Sequence, residues 1–597
     1  MSNSLIARMQ SLAILLTTVG ILIVFQMARV QASSGGKVLL NYAERNLVAR
    51  TIQLVPERGN IYDRYGHLLA GNKLMYELGL DLSSVENPHT IATTLNSLLG
   101  MDYAEVLGYA STKYIKGEKE YIRFSSPVDP EVIGELEKRM KEYQDQPVRK
   151  RLFGKSEPRP SLEGLVWQPR MIRTYPEGSL ASNVIGIYPF LRWEDAVPAG
   201  GIEQEYNNLL SGTPARFVIP YDPNQLREIP TVSPGGSVIL TIDIQLQAAA
   251  EEILDKAVAS TQSDSGTIIV LDTRNGEVLA MATSPRINLN EYWKIKELPP
   301  NTPFNRAVNV TYEPGSVFKT ITMAIALHLG RVTPDTTFVD TGSFQAGALP
   351  VQNWDGRAYG QVTMTQCMQY SLNVCLAYVA VEKIGAADYY HYLKEFGIGQ
   401  RSRIDLAGEA VYPLRVPGDE RWSDSDLARN SFGQALSVAP IQIASAISAI
   451  ANDGKMMAPH VVKATIENGQ QRDKIPMLVN TPISAEAART LTNMLAATVE
   501  SESYEAAHVE GYKVAGKTGT AEIPTEEGYT SSLTNASFVG WGPADDPRIL
   551  VYVWMEKPKT EKWGSIVASP VFSKMFSKAA YLLNIPPDDV RRSLYGQ

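Results

Sequence analysis

Between Met9 and Ala28 the chain runs for twenty residues without a charge, dominated by Leu, Ile, Val, Ala and Met. Coiled as a helix, such a run covers about 30 Å, the thickness of a bilayer's hydrocarbon core. No second run of this kind follows, so everything beyond residue 30 is expected on one side of a membrane. Arg8 precedes the run and Arg29 and Lys37 follow it, a balance from which the positive-inside rule fixes no orientation. The competing interpretation is a cleaved signal peptide, because Val30-Gln31-Ala32 has a small-x-small form. The run exceeds the usual signal core of about 7–15 residues, which favours an uncleaved anchor over 9–28 behind a short tail, 1–8.

The remainder must fold in water. A chain of 597 residues is too long for one typical domain, and two or three compact units are expected. An apolar fraction of 44% and a charged fraction of 20% are globular values that argue against a disordered or fibrous protein. The net charge is −8, and the densest basic cluster, Arg149, Lys150, Arg151, Lys155 and Arg159, is broken by Pro147, Pro158 and Pro160. Such a cluster reads as a solvated loop, and no nucleic-acid partner is expected. The six histidines are scattered, without a His-Glu-x-x-His or a cysteine pair at metal spacing, so neither a metal nor a cofactor is expected. Cys367 and Cys375 are the only cysteines. On a continuous helix their Cα atoms would stand about 12 Å apart, beyond disulfide reach. The expectation is two buried thiols, with a bridge as the minor alternative if the helix breaks near Ser371.

A Pro- and Gly-rich stretch from Ser211 to Gly236 marks a boundary between 40–235 and 236–597. In the first part, Ile91, Leu95, Leu98 and Leu99, then Val132, Ile133, Leu136 and Met140, carry helical spacing and predict small helices in a mixed domain. In the second part, Val238 to Asp243 predicts a short strand leading into a helix from Ile244. Arg274-Asn275-Gly276 separates the apolar runs 267–271 and 278–281, and an Asn-Gly so placed is a strong hairpin signal. Helical patterns follow near 317–329, 363–385, 440–452 and 569–583, with late strands at 513–520, 536–541 and 549–556. Early strands, a helical insert and late strands predict an α+β domain, an antiparallel sheet flanked by helices.

Three short patterns lie in this second part: Ser316-Val-Phe-Lys319, Ser371-Leu-Asn373 and Lys517-Thr518-Gly519-Thr520. Glu313-Pro314-Gly315 ahead of an apolar helical run places Ser316 at a helix start, where the helix dipole favours developing negative charge, with Lys319 one turn on along the same face. A serine hydroxyl needs an adjacent base to become a nucleophile, and a desolvated lysine with a lowered pKa supplies one. Ser371 and Asn373 are common turn residues and gain meaning only from their place: Ser371 as a proton relay, Asn373 holding an amide. Gly519 lets a backbone approach closely, and Lys517, Thr518 and Thr520 form a set suited to a carboxylate. The backbone N–H groups of Ser316 and Thr520 are the expected oxyanion donors. Each pattern alone is as well explained by chance; the order of all three points to acyl transfer at a serine.

With these motifs the chain resembles a class B penicillin-binding protein, a membrane-anchored D,D-transpeptidase of bacterial cell-wall synthesis. The likeness covers nearly the whole sequence: Arg58-Gly59-Asn60-Ile61-Tyr62-Asp63-Arg64, Gly201-Ile202-Glu203, Phe304-Asn305-Arg306-Ala307 and Ser431-Phe432-Gly433-Gln434 are also family-like. The resemblance implies a pedestal (dimerisation-type) domain over 40–235 and a serine β-lactamase/transpeptidase-like domain over 236–597 on the extracytoplasmic side, with 1–8 in the cytoplasm. It implies that Ser316 attacks the D-Ala-D-Ala bond of one stem peptide and passes the acyl group to an amine on another, and that β-lactams acylate the same serine. Asn353 and Trp354 look like an active-site rim. No glycosyltransferase region is evident, so a polytopic glycosyltransferase in the membrane is the implied partner, and Ser431 to Gly454 leans toward division-type members. The alternatives are a serine β-lactamase, which leaves the pedestal unexplained, and a non-catalytic β-lactam sensor or scaffold, which has no need of all three motifs.

Overall fold

The computed structural model describes residues 3–32, 49–115, 120–124, 127–145, 159–189, 196–220, 232–300, 302–347, 349–525 and 528–595. Of the expected basic loop, Arg149, Lys150, Arg151 and Lys155 lie outside the described residues, as does the middle of the Pro- and Gly-rich stretch. The chain divides into two compact units, 1–57 with 211–235, and 58–210 with 236–597.

The first unit carries a 30-residue helix, Asn3–Ala32, in which Ser11–Arg29 is long and apolar enough to cross a membrane. It also holds a ribbon in which Ala49–Leu54 pairs antiparallel with Ala215–Pro220.

The second unit departs from the expected boundary at 235/236, and strand pairing gives the reason. Ile61 and Tyr62 pair in parallel with Val238 and Ile239, and Ser237–Leu240 pairs on its other side with Val462–Glu467. The strand expected to open the catalytic sheet therefore belongs to a seven-stranded sheet shared with Leu68–Asp81 and Leu165–Thr174. Against the far end of that sheet pack the helices Pro88–Leu99 and Pro130–Gln144, burying Ile91, Leu95, Ile133 and Leu136 as their spacing predicts.

The family-like elements of the N-terminal region meet here. Glu203 is fully buried and its two carboxylate oxygens each accept from an arginine Nε at 2.6 Å, Arg58 on one and Arg173 on the other. Asp63, also fully buried, accepts from the backbone N–H groups of Tyr65 and His67 at 2.9 and 2.8 Å and so holds the turn after Ile61.

The catalytic part is built on a five-stranded sheet in the order 515–525, 528–542, 549–556, 265–272, 278–284. All of its pairings are antiparallel, and the Asn275-Gly276 turn closes the 265–272/278–284 hairpin. Period-two alternation sends neighbouring residues to opposite faces. Ile268, Val270, Phe538, Val551 and Val553 share one core with residues of the helices Ile244–Thr261 and Ser569–Leu582. Ile269, Leu271, Val539, Trp541 and Tyr552 face the other core, with the helices Lys319–His328, Pro440–Ala451 and Ala485–Val499. The sheet is thus covered on both faces, one of them by helices of the insert.

Candidate active site

Gly315–Phe318 forms a single tight 3₁₀ turn that leads directly into the Lys319–His328 helix. This extra winding sets Ser316, half-buried, at the mouth of the helix while Lys319 goes inward and is fully buried. The turn is clamped from behind. The N–H of Gly315 donates to the carbonyl of Gly433 at 3.0 Å, and Gly433 has φ +77°; a Cβ there would stand 2.3 Å from the Gly315 oxygen. That contact gives Ser431-Phe432-Gly433-Gln434 its physical role, as a backbone support for the turn that carries Ser316.

Lys319 Nζ donates to the carbonyl of Ser371 at 2.6 Å and to its hydroxyl at 3.1 Å. Burial, reinforced by the nearby charge of Lys517, holds the Lys319 amine well below the usual lysine range. The lysine is therefore joined to Ser371, with no hydrogen bond to Ser316 among the described residues; such contacts are often long until a ligand is bound.

Ser371 sits in a break between the helices Met364–Gln369 and Asn373–Tyr378, with φ 55°. The break also overturns the expectation for the cysteines. Cys367 and Cys375 are disulfide-bonded, their Cα atoms 6.1 Å apart, because the chain does not continue as one helix between them and the 12 Å argument loses its premise. The bridge closes a short loop around Ser371. Asn373 Nδ2 donates to the carbonyl of Gln352 at 3.1 Å, tying this turn to the opposing hairpin.

Lys517, Thr518, Gly519 and Thr520 lie on the edge strand Ala515–Thr525. A Cβ on Gly519 would meet Ser537 Oγ at 2.3 Å and Val317 Cγ1 at 3.0 Å, so glycine is what lets this strand press against the nucleophile turn. Thr518, Thr520 and Glu522, alternating along the strand, line the same cleft as Ser316, Ser371 and Asn373, a cavity of about 660 Å³. Lys517 is fully buried beneath it.

Both rim residues line the cleft, in different ways. Trp354 is exposed and its ring meets that of Trp563 edge-on, 5.1 Å between centroids. Asn353 is 5% exposed. Its amide donates to Asp340 at 2.7 Å and to the Arg357 carbonyl at 3.0 Å, and its oxygen accepts from the N–H of Val374. Asn353 thus frames the loop and the start of the Asn373–Tyr378 helix, beneath the rim on which Trp354 stands.

Tyr504, Arg429, Glu522 and Trp563 also line the cleft, and no sequence motif marks them. Strand alternation from Thr518 through Thr520 was a signal for Glu522. Tyr504 and Trp563 arrive from a short turn and a loop with no local pattern to distinguish them.

Residues 266–577 match the penicillin binding protein transpeptidase domain and residues 53–228 the penicillin-binding protein dimerisation domain. The chain belongs to the penicillin-binding proteins. It is 29% identical over 90% of its length to stage V sporulation protein D of Bacillus subtilis, covering 80% of that protein. It is 30% identical over 70% of its length to a probable peptidoglycan D,D-transpeptidase, PbpC, of Pseudomonas aeruginosa, covering 72% of it. Among solved structures, penicillin-binding protein 2X from Streptococcus thermophilus shares the fold with a TM-score of 0.72 at 23% identity, over 89% of this chain and 80% of that one. The dimerisation domain ahead of a transpeptidase domain is the class B arrangement of this penicillin-binding family, as the motifs implied.

Proposed function

We propose that this penicillin-binding protein is a peptidoglycan D,D-transpeptidase that works through an acyl-enzyme on Ser316. The observation that carries the reading is the fully buried Lys319, its amine held below the ordinary lysine range and bonded to Ser371, in the cleft that Ser316 and the Lys517 strand line. A neutral amine there is a base matched to a serine hydroxyl.

In the proposed sequence Ser316 Oγ attacks the carbonyl of the penultimate D-Ala and gives its proton to Lys319. The oxyanion forms toward the N–H groups of Ser316 and Thr520, on two segments that pack closely where Gly315 meets Thr520. The scissile C–N bond breaks, the departing D-Ala amine takes a proton through Ser371, and the acyl group stays on Ser316. An acceptor amine then attacks the ester, loses its proton by the same route, and releases Ser316 with a new amide bond. Lys517, Thr518 and Thr520 hold the terminal carboxylate of the donor, and Asn373 orients the peptide amide. β-Lactams enter as carboxylate-bearing acyl donors.

The apolar N-terminal helix serves as a single-pass anchor with the catalytic domain extracytoplasmic, where the substrate lies. Glycan polymerisation comes from a polytopic glycosyltransferase in the same membrane, and the lean toward division-type members favours septal synthesis.

Labelling with a fluorescent penicillin tests the assignment. Wild type is expected to carry one slowly released label on the peptide containing Ser316, and Ser316→Ala none. Normal labelling of Ser316→Ala removes the nucleophile, and rapid turnover by wild type makes the protein a β-lactamase.

A further inference from the structure

Tyr504 lies in the 3₁₀ segment Glu502–Ala507, beside the edge strand, and is 3% exposed. Its hydroxyl stands 2.7 Å from Lys517 Nζ and 3.0 Å from Thr518 Oγ1. Lys517 Nζ is itself 3.2 Å from Thr518 Oγ1 and 3.2 Å from the Thr518 carbonyl, and lies 5.5 Å from the centre of the Tyr504 ring. Among the described residues the hydrogen-bond partners of this buried lysine are thus the oxygens of Tyr504 and Thr518, and none is a carboxylate.

Counting donors limits which way the protons point. An ammonium has three N–H donors and no acceptor, and a phenol has one proton. Tyr504 Oη therefore accepts from Lys517; between Tyr504 and Thr518 either hydroxyl can donate, and in one of the two arrangements the Tyr504 proton goes to Thr518 Oγ1. That oxygen now accepts from Tyr504 and from Lys517, which occupies both of its lone pairs. In this arrangement the Thr518 proton has no acceptor inside the triangle and is directed into the cleft that Thr518 lines. Two residues along the strand, Thr520 Oγ1 accepts from the N–H of Gly564 at 3.0 Å, so its proton is likewise free to face the cleft. The strand then presents two O–H donors above the buried Lys517, the arrangement a carboxylate recognises through charge-assisted bonds.

We propose that Tyr504 is the positioning residue that locks Thr518 as a donor, and that it thereby sets the preference of the cleft for ligands ending in a free carboxylate over the same ligands as amides. The proposal rests on the reading that the Lys517–Thr520 strand holds the donor's terminal carboxylate. Without the Tyr504 hydroxyl, Lys517 still reaches Thr518. One lone pair of Thr518 falls open, however, and its proton is no longer directed to the cleft.

The test compares acylation rates of the full chain with a penicillin and with its carboxamide, on the same preparation, so that the active fraction cancels in the ratio. Tyr504→Phe keeps the ring and its packing. It is expected to lower the carboxylate-to-amide ratio about tenfold or more, the scale of a lost hydrogen bond to a charged group. In a Thr518→Val background the same change is expected to leave the ratio where Thr518→Val put it, because the hydroxyl acts through Thr518. A Tyr504→Phe ratio equal to wild type, or both ligands slowed alike, overturns the proposal. So does a full additional effect in the Thr518→Val background. A wild-type ratio near one overturns the carboxylate reading of the strand, and the role of Tyr504 falls with it.

Discussion

Lys319 Nζ lies 2.6 Å from the carbonyl oxygen of Ser371 and 3.1 Å from its hydroxyl. Fifty-two residues of chain separate the two, and the contact requires both the buried face of the nucleophile helix and the helix break at Ser371. It joins the first and second sequence patterns into one hydrogen-bonded unit.

Replacing Lys319 by Ala removes the proposed base. Acylation by a fluorescent penicillin is expected to slow by about 10²–10⁴-fold, with a cooperative thermal melt retained. Labelling at the wild-type rate would remove Lys319 from the mechanism.

Because folding holds Lys319 well below the lysine range, the unfolded chain binds its proton over a span of pH in which the folded protein does not. Stability then rises with pH between the folded pKa and the unfolded value of about 10.4, and acidification through the folded pKa charges a buried amine and lowers it. Lys319→Met is expected to melt above wild type on the acidic side, the gap closing as the pH nears about 10. A gap independent of pH contradicts this. Acylation should follow the same titration, rising with pH and levelling before the range of a free lysine.

Glu203 is buried between Arg58 and Arg173. Glu203→Ala leaves two guanidinium groups facing a vacated carboxylate site, and a loss of about 3–5 kcal/mol is expected in urea unfolding. A loss below about 1 kcal/mol, the scale of a surface pair, would show that the triad is not the clasp it resembles.

Cys367 and Cys375 are bridged, a state that suits an extracytoplasmic domain. Denatured protein prepared without reductant is expected to take up no maleimide, and reduced protein two adducts. Two adducts without reductant would contradict the bridge.

The strands 265–272, 278–284 and 549–556 and the helices of the insert were legible because their apolar periodicity is uninterrupted and their turns carry Asn-Gly or Pro. Ser316, Lys319, Ser371, Asn373 and the Lys517 strand were legible as ordered motifs. Three features were not. The helix break at Ser371 depends on one residue taking positive φ, which no neighbouring Gly or Pro announces, and the disulfide followed from it. The pairing of Ile61 with Val238 joins segments 177 residues apart, a distance at which local pattern carries no register. Tyr504 escaped for another reason: although Lys517 lies only 13 residues on, the turn that carries Tyr504 has the composition of an ordinary polar loop.

Transfer of an acyl group from Ser316 to an amine is the step on which the proposed function depends. The full chain is incubated with a stem peptide ending in D-Ala-D-Ala and increasing concentrations of an amine acceptor, while released D-Ala, new amide product and the Ser316 adduct are followed by mass spectrometry. The expected result is an adduct confined to the Ser316 peptide, stoichiometric D-Ala release, and amide product that displaces hydrolysed peptide as the acceptor rises. Hydrolysed peptide alone at every acceptor concentration, or D-Ala release by Ser316→Ala, would contradict it.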